Sequence, residues 1–243
     1  MFSFFKKPKP ATQYPFTTDI HSHLLAGLDD GVKSWEEAES IIIDFLEMGF
    51  QRIITTPHIM NDTYRNNPIS IQAKLGELKQ FLLERKINVE VQAAAEYYLD
   101  EVFYSKIINK EPLLTFGQRY LLFETNFLSE PFQLKDFIFQ ATTQGYRLVL
   151  AHPERYSYMT MAKAEDLRNR GVLFQLNTLS VIGFYSSPIQ KLARQLIDKG
   201  WVDLLGSDCH NLIQAEALKK ATSNKYVQKA FELPLLNDTL FSI

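Results

Sequence analysis

Every histidine in this sequence stands at or just beyond the C-terminal end of a short apolar run. His21 and His23 follow Tyr14 to Phe16 by way of Asp19-Ile20, and His58 follows Arg52-Ile53-Ile54-Thr55-Thr56-Pro57. His152 follows Leu148-Val149-Leu150-Ala151, and His210 closes Ser207-Asp208-Cys209 after Trp201-Val202-Asp203-Leu204-Leu205. Short runs rich in Val, Ile and Leu read as buried strands. Side chains two apart on a strand share a face, so His21 and His23 aim the same way and form a pincer for a divalent ion. Histidines used as core or surface filler would also fall inside helical patterns, and none of the five does.

The segments between these runs carry helical period and boundary signals. Ser34 with Glu37 makes a capping-box pattern ahead of Ala38, Ile42, Phe45 and Met48, and Gly49 stops the helix. Asn67-Pro68 opens a second helix along Ile71, Leu75, Leu78 and Leu82, ending near Arg85 and Lys86. Val89 to Ala95 and Tyr120 to Phe123 read as the third and fourth strands, delivering Glu96 and Glu124, with a short helix around Glu101 to Ile108 between them. After Pro131 a helix with Phe132, Phe137, Ile138 and Ala141 ends at Gly145. Helical residues then lead to Gly171 and a sixth strand, Val172 to Leu176. Pro188 starts another helix, Gly200 closes it, and the seventh strand, Trp201 to Leu205, reaches Asp208.

Seven strands alternating with helices predict an α/β chain with a parallel sheet. At 243 residues a closed or nearly closed (β/α) barrel is favoured over an open doubly wound sheet. The sequence therefore predicts one domain over residues 14–243, behind a flexible N-terminal tail, residues 1–13, whose Phe2, Phe4 and Phe5 are left without a role.

Composition narrows the function. The net charge of −2 comes without a lysine or arginine cluster long enough to track a phosphate backbone, which argues against nucleic-acid binding. The lone Cys209 excludes an internal disulfide and fits a reducing compartment. No apolar run is long enough to span a bilayer, and the N-terminal charges follow the apolar residues, the reverse of a secretory signal. A cytoplasmic protein is expected.

The polar residues predicted at strand C-terminal ends are His21, His23, His58, Glu96, Glu124, His152, Asp208 and His210, on the face where barrels of this type assemble active sites. Asp30, from the Asp29-Asp30-Gly31 turn, extends the set to five histidines and four carboxylates. That exceeds one tetrahedral zinc and suffices for two or three divalent ions sharing carboxylates. Imidazole and carboxylate without thiolate favour manganese, iron or zinc. With three such ions the four carboxylates leave the cluster positively charged, which suits a phosphate ester; the ions lower the pKa of a bound water and neutralise the leaving oxygen. Arg155, in Ala151-His152-Pro153-Glu154-Arg155, is the candidate to grip the non-bridging phosphate oxygens, with Arg65 a weaker second that reads first as a solvated side chain. Asp19 reads as a hydrogen-bond acceptor behind the histidines. A cysteine phosphatase is excluded, because the residue six after Cys209 is Ala215 and not arginine, and neither a Gly-x-Ser-x-Gly elbow nor a phosphate-cradling loop is present.

Asp19-Ile20-His21-Ser22-His23, Leu28-Asp29-Asp30-Gly31, Thr56-Pro57-His58, Ala95-Glu96, Phe123-Glu124, Ala151-His152-Pro153-Glu154-Arg155 and Gly206-Ser207-Asp208-Cys209-His210 together resemble the polymerase and histidinol phosphatase (PHP) superfamily. More narrowly they resemble the bacterial manganese-dependent protein-tyrosine phosphatases of capsule and exopolysaccharide operons. The resemblance implies a distorted seven-stranded, TIM-barrel-like fold with a trinuclear site. It implies that His21, His23, Glu96 and Asp208 bind one ion, Glu96, Glu124 and His152 a second, and Asp30, His58 and His210 a third. Arg155 matches the family's phosphate-contacting arginine. The implied substrate and partner is the phosphorylated tyrosine-rich tail of a bacterial tyrosine autokinase. Tyr97, Tyr98, Phe127, Tyr156 and Phe184 are candidates to accommodate the phosphotyrosine ring. A histidinol-phosphate phosphatase and a non-catalytic metal-binding module are the alternatives.

Overall fold

The computed structural model describes residues 13–240. Apart from Gln13, the expected N-terminal tail with Phe2, Phe4 and Phe5 lies outside the described residues. Nine strands and nine α-helices follow in the described chain. They are β1(Thr18–Asp19), α1(Trp35–Glu47), β2(Arg52–Thr55), β3(His58–Ile59), α2(Pro68–Glu84), β4(Glu90–Ala93), β5(Glu96–Tyr98), α3(Glu101–Ile108), β6(Tyr120–Glu124), α4(Leu134–Thr143), β7(Arg147–Ala151), α5(Met161–Asn169), β8(Leu173–Asn177), α6(Thr178–Ile182), α7(Ser187–Asp198), β9(Leu204–Gly206), α8(Leu212–Ala221) and α9(Lys225–Phe231).

The helix boundaries follow the residues that satisfy their ends. Ser34 caps α1 by accepting from Glu37 N, while the Glu37 carboxylate accepts from Lys33 N, one residue before the cap. Asn67 accepts from Ile69 N and Ser70 N to start α2, with Pro68 at a position that has no N–H to lose. Helix α4 begins at Leu134, so Phe132 lies outside it and is fully exposed; the buried face is Leu134, Phe137, Ile138 and Ala141.

All strand pairs are parallel, as expected, but the ladder is divided. One sheet has the order β1-β2-β4 and the other β3-β5-β6-β7-β8-β9, so the single closed seven-stranded sheet anticipated from the sequence is not formed as one ladder among the described residues. The division falls at Pro57, which has no N–H to contribute and separates β2 from β3, and at Ala94-Ala95 between β4 and β5. Single hydrogen bonds cross the gap, from Ala94 N to Thr55 O and from Glu96 N to Pro57 O. An isolated parallel bridge joins Ser22 to Cys209, flanking the ends of β1 and β9.

Strand side chains alternate between two apolar clusters. Ile53, Leu121, Phe123, Leu148 and Leu150 pack toward the helices, whereas Ile20, Ile54, Ala94, Leu122, Val149, Ala151 and Leu204 form the other. This two-residue period fixes which side chains meet, because a one-residue slip would exchange the two faces. The chain leaves each strand on the same side, where the polar residues gather.

Candidate active site

The structure brings all nine predicted imidazoles and carboxylates to one mouth. Glu96 is at its centre and fully buried. Its Oε2 lies 3.2 Å from His21 Nε2, 3.5 Å from His23 Nε2 and 3.1 Å from His58 Nδ1, and its Oε1 lies 3.0 Å from His152 Nε2. Asp208 Oδ1 sits 3.4 Å from His21 Nε2 and 3.5 Å from His23 Nε2. Glu124 approaches His58 Nδ1 at 2.9 Å and His152 Nε2 at 4.0 Å. Asp30, half exposed, is 3.5 Å from His58 Nε2 and 3.6 Å from His210 Nε2. His58 therefore offers one nitrogen to the Glu96/Glu124 group and the other to the Asp30/His210 group.

Partners behind the imidazoles set which nitrogen is free. Asp29 Oδ2 accepts from His23 Nδ1 at 2.8 Å, Gln175 Oε1 from His21 Nδ1 at 2.7 Å, and the Asp208 carbonyl from His210 Nδ1 at 2.9 Å. In each case Nε2 is the nitrogen turned toward the mouth, the one a bound cation would take in exchange for a proton. Asp29 also accepts from His58 N and Gly31 N, so one carboxylate ties three parts of the site together. A Cβ on Gly31 would meet His23 O at 2.2 Å, and one on Gly206 would meet the Gln175 amide at 2.6 Å. Only glycine lets these loops close on the histidines. Asp19 accepts from Ser207 N and Oγ at 2.9 and 3.0 Å, behind His21.

Backbone strain collects here too. His152 and Asp208 adopt left-handed conformations with φ of 33° and 49°. Each such residue costs on the order of 1–3 kcal/mol and persists only where its surroundings hold it.

The charges are strongly coupled. Burial alone would raise Glu96 and Asp208, yet the neighbouring imidazoles, His21 foremost, hold both well below the usual carboxylate range. Burial likewise opposes charge on His21, His23 and His58, but the adjacent carboxylates raise all three, His58 to about 9. With no cation among them, the histidines supply the positive charge that the carboxylates demand; cations bound here displace those protons.

The donor set fits divalent metal. Nitrogen and oxygen atoms within ~2.1 Å of a common ion stand roughly 3.0–3.4 Å apart, and most of the contacts above fall close to that range. Cys209 contributes nothing: it is buried, and its Sγ lies 3.5 Å from Asn211 O.

Arg155 lies at the edge of this cluster. Its Nη1 donates to Asp208 Oδ2 at 2.8 Å, and its guanidinium is held between the rings of Phe127 and Tyr185, 4.9 and 4.7 Å away. Asn177 Nδ2 donates both to Asp208 Oδ2 and to the Tyr185 hydroxyl. The mouth opens into a cavity of about 350 Å³ whose walls include Tyr64, Tyr98, Phe127 and Arg155. Of the expected aromatic residues, Tyr98 and Phe127 line it. Tyr97 and Tyr156 are buried, with Tyr97 stacked on Phe103 and the Tyr156 hydroxyl donating to Ala151 O; Phe184 is exposed outside the cavity. Tyr64, stacked on His58 at 5.5 Å, and Tyr185 were not anticipated. Neither were Asp29, Gln175 and Asn177. A polar residue inside the otherwise apolar run Leu173 to Leu176 was the available signal for Gln175.

Fold and site define a class of α/β protein in which imidazoles and carboxylates at the strand ends fit a divalent-metal centre. A family model described as capsular polysaccharide synthesis, CpsB/CapC, matches residues 17–241, and the chain belongs to that family. The CapC protein of Staphylococcus aureus is 29% identical over 215 residues, covering 88% of this chain and 84% of that one. Tyrosine-protein phosphatase YwqE of Bacillus subtilis is 24% identical over 196 residues, 80% of this chain and 77% of that one. A chain from the crystal structures of YwqE from Bacillus subtilis and CpsB from Streptococcus pneumoniae, described as unique metal-dependent tyrosine phosphatases, superposes with a TM-score of 0.78 at 23% identity, covering 93% of this chain and 96% of that one. A histidinol phosphate phosphatase from Lactococcus lactis gives a TM-score of 0.51 at 12% identity over 88% of this chain and 92% of that one. At these identities the structural matches establish the shared fold.

Proposed function

We propose that this protein is a metal-dependent protein-tyrosine phosphatase that acts on the phosphorylated tyrosine-rich tail of a bacterial tyrosine autokinase and so regulates capsular or exopolysaccharide synthesis. The observation that carries the reading is Glu96, a fully buried carboxylate in reach of four imidazoles. The names of the relatives support the chemistry.

His21, His23, Glu96 and Asp208 would hold one ion, Glu96, Glu124 and His152 a second, and Asp30, His58 and His210 a third. Manganese is the preferred metal. When bound, the ions supply Lewis acidity toward water and phosphate and neutralise charge on the leaving oxygen. The remaining work falls to the chain. Arg155, fixed between Phe127 and Tyr185, presents N–H groups to the non-bridging phosphate oxygens. Asp30, kept ionised by its contact with His210, closes the exposed edge of the site. Asp29 and Gln175 orient His23 and His21, and Asn177 fixes Asp208 and Tyr185 together. Phe127 and Tyr98 give the cavity the aromatic walls suited to a phenyl phosphate.

The two sheets act as one distorted seven-stranded barrel; the Ser22–Cys209 bridge and the hydrogen bonds across Pro57 support that closure. A cytoplasmic location is supported by the single buried thiol, and no described helix is long and apolar enough to cross a membrane. The test is turnover by manganese-loaded protein of a phosphotyrosine peptide against histidinol phosphate. Preference for the peptide is expected; preference for histidinol phosphate would replace the substrate assigned here.

A further inference from the structure

A second concavity, of about 170 Å³, adjoins the catalytic one, and Met60 lines both. Strand alternation creates the junction. On β5 Tyr98 lines the catalytic cavity and Tyr97 the neighbouring groove, and around β3 His58 and Ile59 divide in the same way. The groove has an apolar floor of Ile59, Tyr97, Val102 and Phe103, and Arg65 stands at its edge.

Arg65, expected from the sequence as a weaker second phosphate contact, lines this groove and not the catalytic cavity, and it is positioned but not neutralised. Its Nε donates to Asn61 O at 2.8 Å, which pins the side chain across the 60–66 loop, and it makes no ion pair among the described residues. The carboxylate lining the same groove is already engaged: Asp100 accepts from Asn61 N through Oδ2 at 3.0 Å and from Phe103 N through Oδ1 at 2.7 Å. The other cation there, Lys106, is paired with Glu111 at 2.9 Å. The groove thus combines apolar surface and one available guanidinium, and it shares Met60 with the mouth that holds the histidines.

Resting on the reading of that mouth as a tyrosine phosphatase, we propose that this groove binds the residues flanking the phosphotyrosine of a peptide substrate, an apolar side chain on the floor and an acidic side chain on Arg65. A peptide whose phosphoryl group sits among the histidines has to leave across the rim, and Met60 is rim common to both cavities. A free aryl phosphate leaves the groove unused, so the groove selects peptides without contributing to the chemistry.

The experiment uses the manganese-loaded full chain, para-nitrophenyl phosphate, and two phosphotyrosine peptides that differ only in whether the flanking residues are glutamate and valine or lysine and valine. Wild type is expected to favour the glutamate peptide by roughly two- to fivefold in kcat/KM, carried by KM, the range for an exposed charge pair. Arg65→Glu reverses that preference, and Val102→Trp, which fills the floor, weakens both peptides. Turnover of para-nitrophenyl phosphate stays unchanged in both variants. Equal turnover of the two peptides by wild type, or an unchanged preference in Arg65→Glu, overturns the proposal while leaving the phosphatase intact. Failure of wild type to hydrolyse any of the three probes overturns the phosphatase reading itself.

Discussion

At the C-terminal ends of the strands, four carboxylates and five histidines crowd into groups whose ligand atoms lie within 4.8 Å of one another, and two residues, His152 and Asp208, take left-handed backbone conformations. At the opposite ends, just ahead of β1 and β2, Tyr14, Phe16, Phe50 and Phe231 pack ring against ring with centroids 4.8 to 6.0 Å apart. The buried amide of that second region, Asn237, accepts from Leu205 N and donates to Thr18 O and Leu205 O. The first region concentrates charge and strain in a geometry suited to bound cations. The second is built mainly from aromatic surface, with the Asp19 carboxyl group alongside. Stability and function are thus drawn from opposite ends of the same strands.

Substitutions at the two ends are expected to separate accordingly. Glu96→Ala removes the carboxylate shared by four imidazoles and is expected to lower phosphatase turnover by at least about a thousandfold. Circular dichroism will show the fold retained, and the rise in melting temperature that manganese gives the wild type will shrink. Arg155→Ala is expected to cost roughly a hundredfold in kcat/KM, because a bidentate phosphate contact is lost while the cations remain. Asp29→Asn weakens the support of His23 and is expected to lower manganese affinity by about ten- to a hundredfold, read from the concentration that restores half of full activity. At the other end, Phe50→Ala is expected to destabilise the protein by about 3–5 kcal/mol in urea unfolding. Its turnover per folded molecule is expected to stay within about twofold of wild type, since the ring packs on Tyr14, Phe16 and Phe45 and lines no part of the catalytic cavity. A large loss of turnover in Phe50→Ala, or of stability alone in Arg155→Ala, would break the division between the two ends.

Much of the mouth was legible because its chemistry is concentrated where strands stop. A histidine or glutamate directly after an apolar run has few ways to be satisfied, so His58, Glu96, Glu124 and His152 announce themselves. Ser34 and Asn67 were equally readable, since a helix start needs a local acceptor for its free N–H groups. What was hidden depends on distant partners. Asp29 and Asp30 are neighbours in one turn, and only the fold shows that Asp29 faces inward to His23 while Asp30 stays at the rim. Gln175 and Asn177 acquire meaning from His21 and Asp208, more than thirty residues away in each case. The split of the ladder at Pro57 turns on a single missing N–H, which an apolar pattern does not reveal. Phe132 misled for the opposite reason: it directly follows Pro131 in a stretch that reads as helical but precedes the helix and faces solvent.

The central claim is that the imidazoles and carboxylates of the mouth hold divalent cations that the reaction requires. The most direct measurement strips the purified protein with a chelator, then titrates manganese back while following both bound metal per chain and hydrolysis of a phosphotyrosine peptide. Activity is predicted to fall to background and to return in step with the binding of about two or three ions per chain. Full turnover by the metal-free protein would contradict the account.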